Sequence, residues 1–292
     1  MREEFIMKKD ILGKIVTADV TDENDKYIYS QIEGETFRTA KSELKKLPKI
    51  GSKLTGFAYE NENHHLQLTK NTPKTGIGRY AWGTVVSVQR DLGVFVDIGL
   101  PNKDIVVSLD DLPEQREIWP KKDDRLMIGL KVDKKGRLWG DLATETMFQG
   151  ISQKATSAMR NQDVKCVAYR LKKVGTRVLT KDYCLGFIHP SQRNEEPRLG
   201  QVLDARVIGV REDGTLNLSL KPRAYEVIGD DAQMILAALQ HSSGVLNFSD
   251  KSSPEEIKDY FGISKGQFKR ALGHLLKAGA ARQEDGKIYL ND

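Results

Sequence analysis

Cysteine and histidine are scarce in this chain, with two cysteines, Cys166 and Cys184, and five histidines among 292 residues. Two thiols cannot form a disulfide framework, and no Cys/His cluster surrounds them to hold zinc. Both are expected as free thiols packed as small apolar groups. Long apolar runs are missing too. No window approaches the roughly 18 consecutive apolar residues that cross a bilayer, and Met1, Arg2, Glu3 and Glu4 have no apolar region behind a basic start. The expectation is a cytoplasmic protein with no membrane partner. There is no G-x-x-x-x-G-K-[ST] loop or other catalytic signature. Phosphodiester hydrolysis requires clustered carboxylates for metal ions or a histidine-based acid and base pair. His64 and His65 are adjacent, but neighbours on a strand face opposite sides, which counts against a shared metal. The chain reads as a non-enzyme with no metal and no cofactor.

What is present is the composition of an ordinary folded protein, 39% hydrophobic and 30% charged. At about 100 to 200 residues per domain, the length allows two or three large domains or several small ones. The net charge of +5 is unevenly spread. Residues 1–73 carry 12 basic and 12 acidic side chains, as do residues 74–145, whereas 146–225 carry 14 basic against 7 acidic and 226–292 carry 8 against 10. The excess positive charge therefore sits in one stretch. Affinity for a polyanion follows local charge, so 146–225 is the segment suited to a phosphate-bearing partner.

One pattern recurs three times: an alternating strand, a tight polar turn, and a second alternating strand, over residues 51–70, 123–142 and 200–221. Period-two alternation around such a turn marks a hairpin with one buried face. Further strand-like material precedes each hairpin, giving units of about five short strands, which fit a small closed barrel without exposed edges. After Tyr225 the period changes to 3.6. Ser253 with Pro254 and Glu256, and Ser264 with Gln267, are helix starts, and Asp285-Gly286 signals a terminal hairpin. Three helices and a hairpin describe a winged helix-turn-helix.

The second and third units resemble the S1 RNA-binding domain, an OB-fold barrel, through Gly93-Val94-Phe95-Val96 and residues 132–137 in one, and Gly186-Phe187-Ile188-His189-Pro190-Ser191 and residues 216–221 in the other. The order of modules resembles the bacterial conserved virulence factor B family of RNA-binding proteins. The resemblance implies a mainly β fold with some α: three tandem S1-like OB barrels over 1–73, 74–145 and 146–225, then a winged-helix domain over 226–292. It also implies post-transcriptional control of gene expression, including virulence genes.

A barrel that grips a single strand needs flat side chains for base stacking and nearby cations for phosphates. In the second unit Phe95 takes the aromatic position, with Asp133 and Arg137 at the last turn; Val107 stands where the family has histidine. In the third, His189 matches that histidine and Arg177 takes the aromatic position, surrounded by Arg170, Lys172, Lys173, Arg206 and Arg211. Arginine can stack on a base and pair with phosphate. In the first unit Ala40 stands near the histidine position, and Tyr27, Tyr29 and Phe37 are either a stacking platform or packing residues. In the winged helix, Lys265, Lys269, Arg270, His274 and Lys287 are available for nucleic acid. The expectation is single-stranded RNA held by the barrels, with duplex nucleic acid or a protein as partner of the winged helix. A transcription regulator reading duplex DNA, or a ribonuclease cofactor, are the alternatives.

Overall fold

The computed structural model describes residues 10–221 and 224–291; Met1 to Glu4, read above for a secretion signal, lie outside them. Strands β1 (Ile15–Glu23), β2 (Tyr27–Ile32), β3 (Glu35–Ala40), β4 (Lys53–Glu60) and β5 (Leu66–Thr69) close into a barrel in the order β1-β2-β3-β5-β4. The same cyclic order recurs in β6 (Ala81–Gln89), β7 (Gly93–Asp97), β8 (Ile105–Ser108), β9 (Arg125–Val132) and β10 (Leu138–Leu142). It recurs again in β11 (Asp163–Lys172), β12 (Gly175–Thr180), β13 (Leu185–Ile188), β14 (Val202–Val210) and β15 (Leu216–Ser219). The expected mainly β architecture of three small barrels is present, and no helix among the described residues is long and apolar enough to cross a membrane.

Shared local devices show why these sequences close. Each long first strand carries a bulge at the same place, between Val20 and Asp22, Val85 and Ser87, and Ala168 and Arg170. A bulge bends a strand, letting it pair with a different neighbour at each end. Gly93, at the start of β7, has φ +138°, and a Cβ there would lie 2.0 Å from the Val107 carbonyl oxygen. Gly175 is the counterpart in the third barrel, with φ +146°. Only glycine permits so close a crossing of the second strand under the third.

The second and third barrels meet through helix α1 (Glu145–Ile151). Its buried Phe148 stacks on Tyr169 at 4.0 Å between centroids and packs with Met127 and Leu179. Beside it, Arg198 donates from Nε and Nη2 to the two oxygens of buried Asp124, both at 3.0 Å, and the Arg125 amide donates to the Gly200 carbonyl at 2.8 Å. The first and second barrels share a continuous apolar core. Both cysteines are buried free thiols, and desolvation pushes Cys166 up to about 12.

A second compact unit follows Leu220. It holds α2 (Ala224–His241), α3 (Pro254–Phe261), α4 (Lys265–Lys277) and a sheet in which β18 (Lys287–Leu290) lies between β16 (Val245–Leu246) and β17 (Ala281–Glu284). Both expected capping boxes form, Ser253 with Glu256 and Ser264 with Gln267. Asp285 and Gly286 both take positive φ in the wing turn, which matches the twist of the flanking strands.

Candidate nucleic-acid interface

In the third barrel the strand register sets Arg177 beside Phe187 and Phe187 beside Asn217, one row across β12, β13 and β15. Alternation turns this row outward, because Val178, Ile188 and Leu218 fill the core. From the β14–β15 turn, Arg211 lays its guanidinium 5.3 Å from the Phe187 ring centroid and donates from Nε to Asn217 Oδ1 at 2.9 Å. The His189 ring stands 6.5 Å from Phe187. The Ser191 amide donates to His189 Nδ1 at 3.2 Å, so the neutral ring carries its proton on Nε2, free to donate. These side chains border a hollow of about 330 Å³. A flat ring, an orientable donor and a cation held over the ring suit an unpaired base with its phosphate.

Of the cations expected around this site, Arg170 pairs in register with Arg177. Arg177 Nη1 and Lys172 Nζ both reach Glu145 at the start of α1, at 2.9 and 3.0 Å. Hydrogen bonding from Lys172, against a desolvation penalty, and the charge of Arg177 hold the Glu145 carboxyl below its ordinary range. Lys173 is exposed in the β11–β12 turn. Arg206 lies opposite Asp163 and Ser219, outside the Arg177–Phe187–Asn217 row.

In the second barrel Phe95 is half-buried on the outer face between fully buried Val94 and Val96. Trp139 is outward on β10, since its neighbour Gly140 pairs with core Val107. At the last turn Asp133 accepts from Arg137 Nε at 2.8 Å and from Trp139 Nε1 at 3.1 Å, while the Arg137 guanidinium lies 5.3 Å from the Trp139 ring. Desolvation opposes ionisation of Asp133, but the hydrogen bonds from Arg137, Trp139 and Lys135 outweigh it and lower its pKa to about 2.

Register corrects one position. Gly93 pairs with Ser108, and Ser108 caps the following turn by accepting from the Asp110 amide, as His189 accepts from Ser191. Ser108, not Val107, therefore stands at the histidine position; Val107 is a fully buried core residue. In the first barrel Phe37 is core and not part of a platform, whereas Tyr27 and Tyr29 face outward, with Arg38 4.8 Å from the Tyr27 ring. Gln67 and Asn61 are buried there, and Asn102 from the second barrel accepts from Tyr59 at 2.7 Å. This face is partly covered by its neighbour. His64 and His65 lie in the β4–β5 turn and not on a strand as expected, with His64 Nδ1 2.6 Å from Glu60.

Phe187 and Trp139 were not singled out in the sequence, although their alternation with buried neighbours is visible in it. In the winged helix Lys269, Arg270 and His274 share the exposed face of α4, Lys265 donates to the Lys251 carbonyl at 3.4 Å, and Lys287 is exposed on the wing.

Fold and site together define a protein of S1-type barrels joined to a winged helix. Family models agree piece by piece: an S1 domain over 12–71, the first S1-like domain of CvfB over 80–141, the second domain of virulence regulatory factor CvfB over 148–222, and a CvfB-like winged helix domain over 233–290. The chain is 36% identical over 288 residues to conserved virulence factor B of Staphylococcus epidermidis, covering 97% of this chain and 96% of that one. It is also 41% identical over 233 residues to the uncharacterized protein YitL of Bacillus subtilis, covering 80% and 78%. A crystal structure of a multidomain protein with nucleic acid binding domains from Streptococcus pneumoniae is 50% identical, with a TM-score of 0.72 over 97% of this chain and 99% of that one. The chain belongs to the conserved virulence factor B family.

Proposed function

We propose that this protein is a cytoplasmic, non-catalytic RNA-binding protein that grips single-stranded RNA with its second and third barrels and so regulates gene expression after transcription, virulence genes included. The observation that carries the reading is the third-barrel hollow, where Phe187 and His189 at the end of β13 meet Arg211 and Asn217 of the β14–β15 hairpin. Phe95, Trp139 and the Asp133–Arg137 pair offer a related surface on the second barrel. Two weak sites on one strand raise affinity when the spacing allows joint engagement. The regulatory role is supported by the relatives named conserved virulence factor B.

A competition titration of single-stranded RNA, single-stranded DNA and duplex DNA across a salt series tests this reading. RNA should win. Phe187→Ala should weaken it about fivefold or more, since each stacked base is worth about 1 to 3 kcal/mol, with little change in salt slope. Arg211→Ala should reduce that slope by about one phosphate contact. Preference for duplex DNA would instead favour the second reading, in which Lys269, Arg270 and His274 on one face of α4 enter a groove.

A further inference from the structure

Between the second and third barrels runs a groove of about 860 Å³ that shares no residue with the outward faces described above. Lys74, Arg125, Lys165 and Lys181 line it, and no acidic residue does. Among the described residues Lys74, Arg125 and Lys181 have no carboxylate partner, while Lys165 pairs with exposed Asp204 at 2.7 Å. The groove is also aromatic and apolar. Trp82 lines it with Arg125 5.5 Å from its ring, and exposed Ile151, Tyr183 and Val202 border the same space.

Tyr183 is unusual in its backbone. It holds φ +61° in the β12–β13 turn, a conformation that glycine or asparagine adopts with least strain. The turn is held in place by the Gln153 amide, which donates to the Tyr183 carbonyl at 2.8 Å. The ring is 40% exposed in this strained turn and borders the same groove as Lys74, Arg125 and Lys181. By contrast, the neighbouring hollow of about 630 Å³ that also touches Trp82 is mixed in sign, with Asp111, Glu114 and Glu196 among its walls.

We infer that this inter-barrel groove is a second binding site, for a nucleotide whose base lies against Tyr183 and Trp82 and whose phosphate meets Lys74, Lys165 and Lys181. The ligand is a phosphorylated nucleoside, either free or as part of a strand leaving the barrel faces. Flat rings and a cluster of cations, of which Lys165 alone has a carboxylate partner among the described residues, are what such a ligand requires. The inference goes beyond the proposed function, because the groove and the faces have separate residues.

The test uses the full-length protein and the variants Lys74→Glu/Lys181→Glu, Tyr183→Ser and, for the barrel face, Phe187→Ala/Arg211→Glu, each first shown to keep its thermal unfolding midpoint. Each is titrated with the four ribonucleoside 5′-monophosphates and with a single-stranded RNA long enough to cover both barrels. If free nucleotides are the ligand, wild type and the face variant bind them, and the groove variants lose about tenfold or more. If a strand is the ligand, monophosphates do not bind, and the groove variants lose a similar factor for the long RNA and protect a shorter stretch of it. Groove variants that change neither binding beyond twofold would overturn the inference. A face variant that binds RNA as wild type does would overturn the proposed function and leave the groove standing on the nucleotide titration.

Discussion

Arg177 and Lys172 do not wait free for phosphate, because Glu145 already holds both at 2.9 and 3.0 Å. A nucleic-acid phosphate must displace this carboxylate or bind beside it. Glu145→Gln should therefore raise RNA affinity about two- to fivefold at low salt, with the gain shrinking as salt screens it; unchanged or weaker binding in the titration would contradict a competing role. Asp133 makes a pH prediction. Its carboxyl titrates at about 2 in the folded protein instead of at its ordinary 3.8. A depressed pKa adds stability that is fully present above the ordinary value and is lost as pH falls through the folded one. The stability difference between wild type and Asp133→Asn should thus be constant from neutral pH to about 4 and shrink toward pH 2 in denaturant melts. At this scale the sequence was only partly legible. The run Ile105-Val106-Val107-Ser108 offers no polar contrast to mark its outward face, so motif matching placed the histidine position one residue early. Glu145 could not be found at all, because its contacts with Arg177 exist only once α1 has docked.

The barrel strands were readable because each alternates between core and surface, and the caps of α3 and α4 because Ser253 and Ser264 carry their partners three residues on. Helix α1 was not. With seven residues and one buried side chain, it has too short an apolar pattern to register, and tertiary packing stabilises it where propensity does not. Its anchor is Phe148, stacked on Tyr169. Phe148→Ala should cost about 3 to 5 kcal/mol of stability in the barrel unit. Hydrogen exchange should show faster opening of 145–151 and β11 than of β1–β5; uniform opening across all three barrels would contradict a local anchor.

For the barrel unit taken whole, unequal charge along the chain was the most informative feature, since the segment with twofold basic excess contains the hollow beside Phe187 and His189. What the sequence could not show is how barrels modify one another. Asn102 of the second barrel covers part of the first barrel's face, and Arg198 reaches 74 residues back to buried Asp124. Such contacts depend on docked surfaces and leave no periodic trace. They also make the barrels unequal: in the first, the outward face that carries Tyr27 and Tyr29 is partly covered by Asn102. Photocrosslinking of 4-thiouridine-substituted single-stranded RNA to the intact protein, with the attached peptides mapped by mass spectrometry, addresses this division most directly. Crosslinks should fall on the peptides bearing Phe187 and His189, with a second set at Phe95 or Trp139. Crosslinks confined to the winged helix or the first barrel would contradict a strand held on the two open barrel faces.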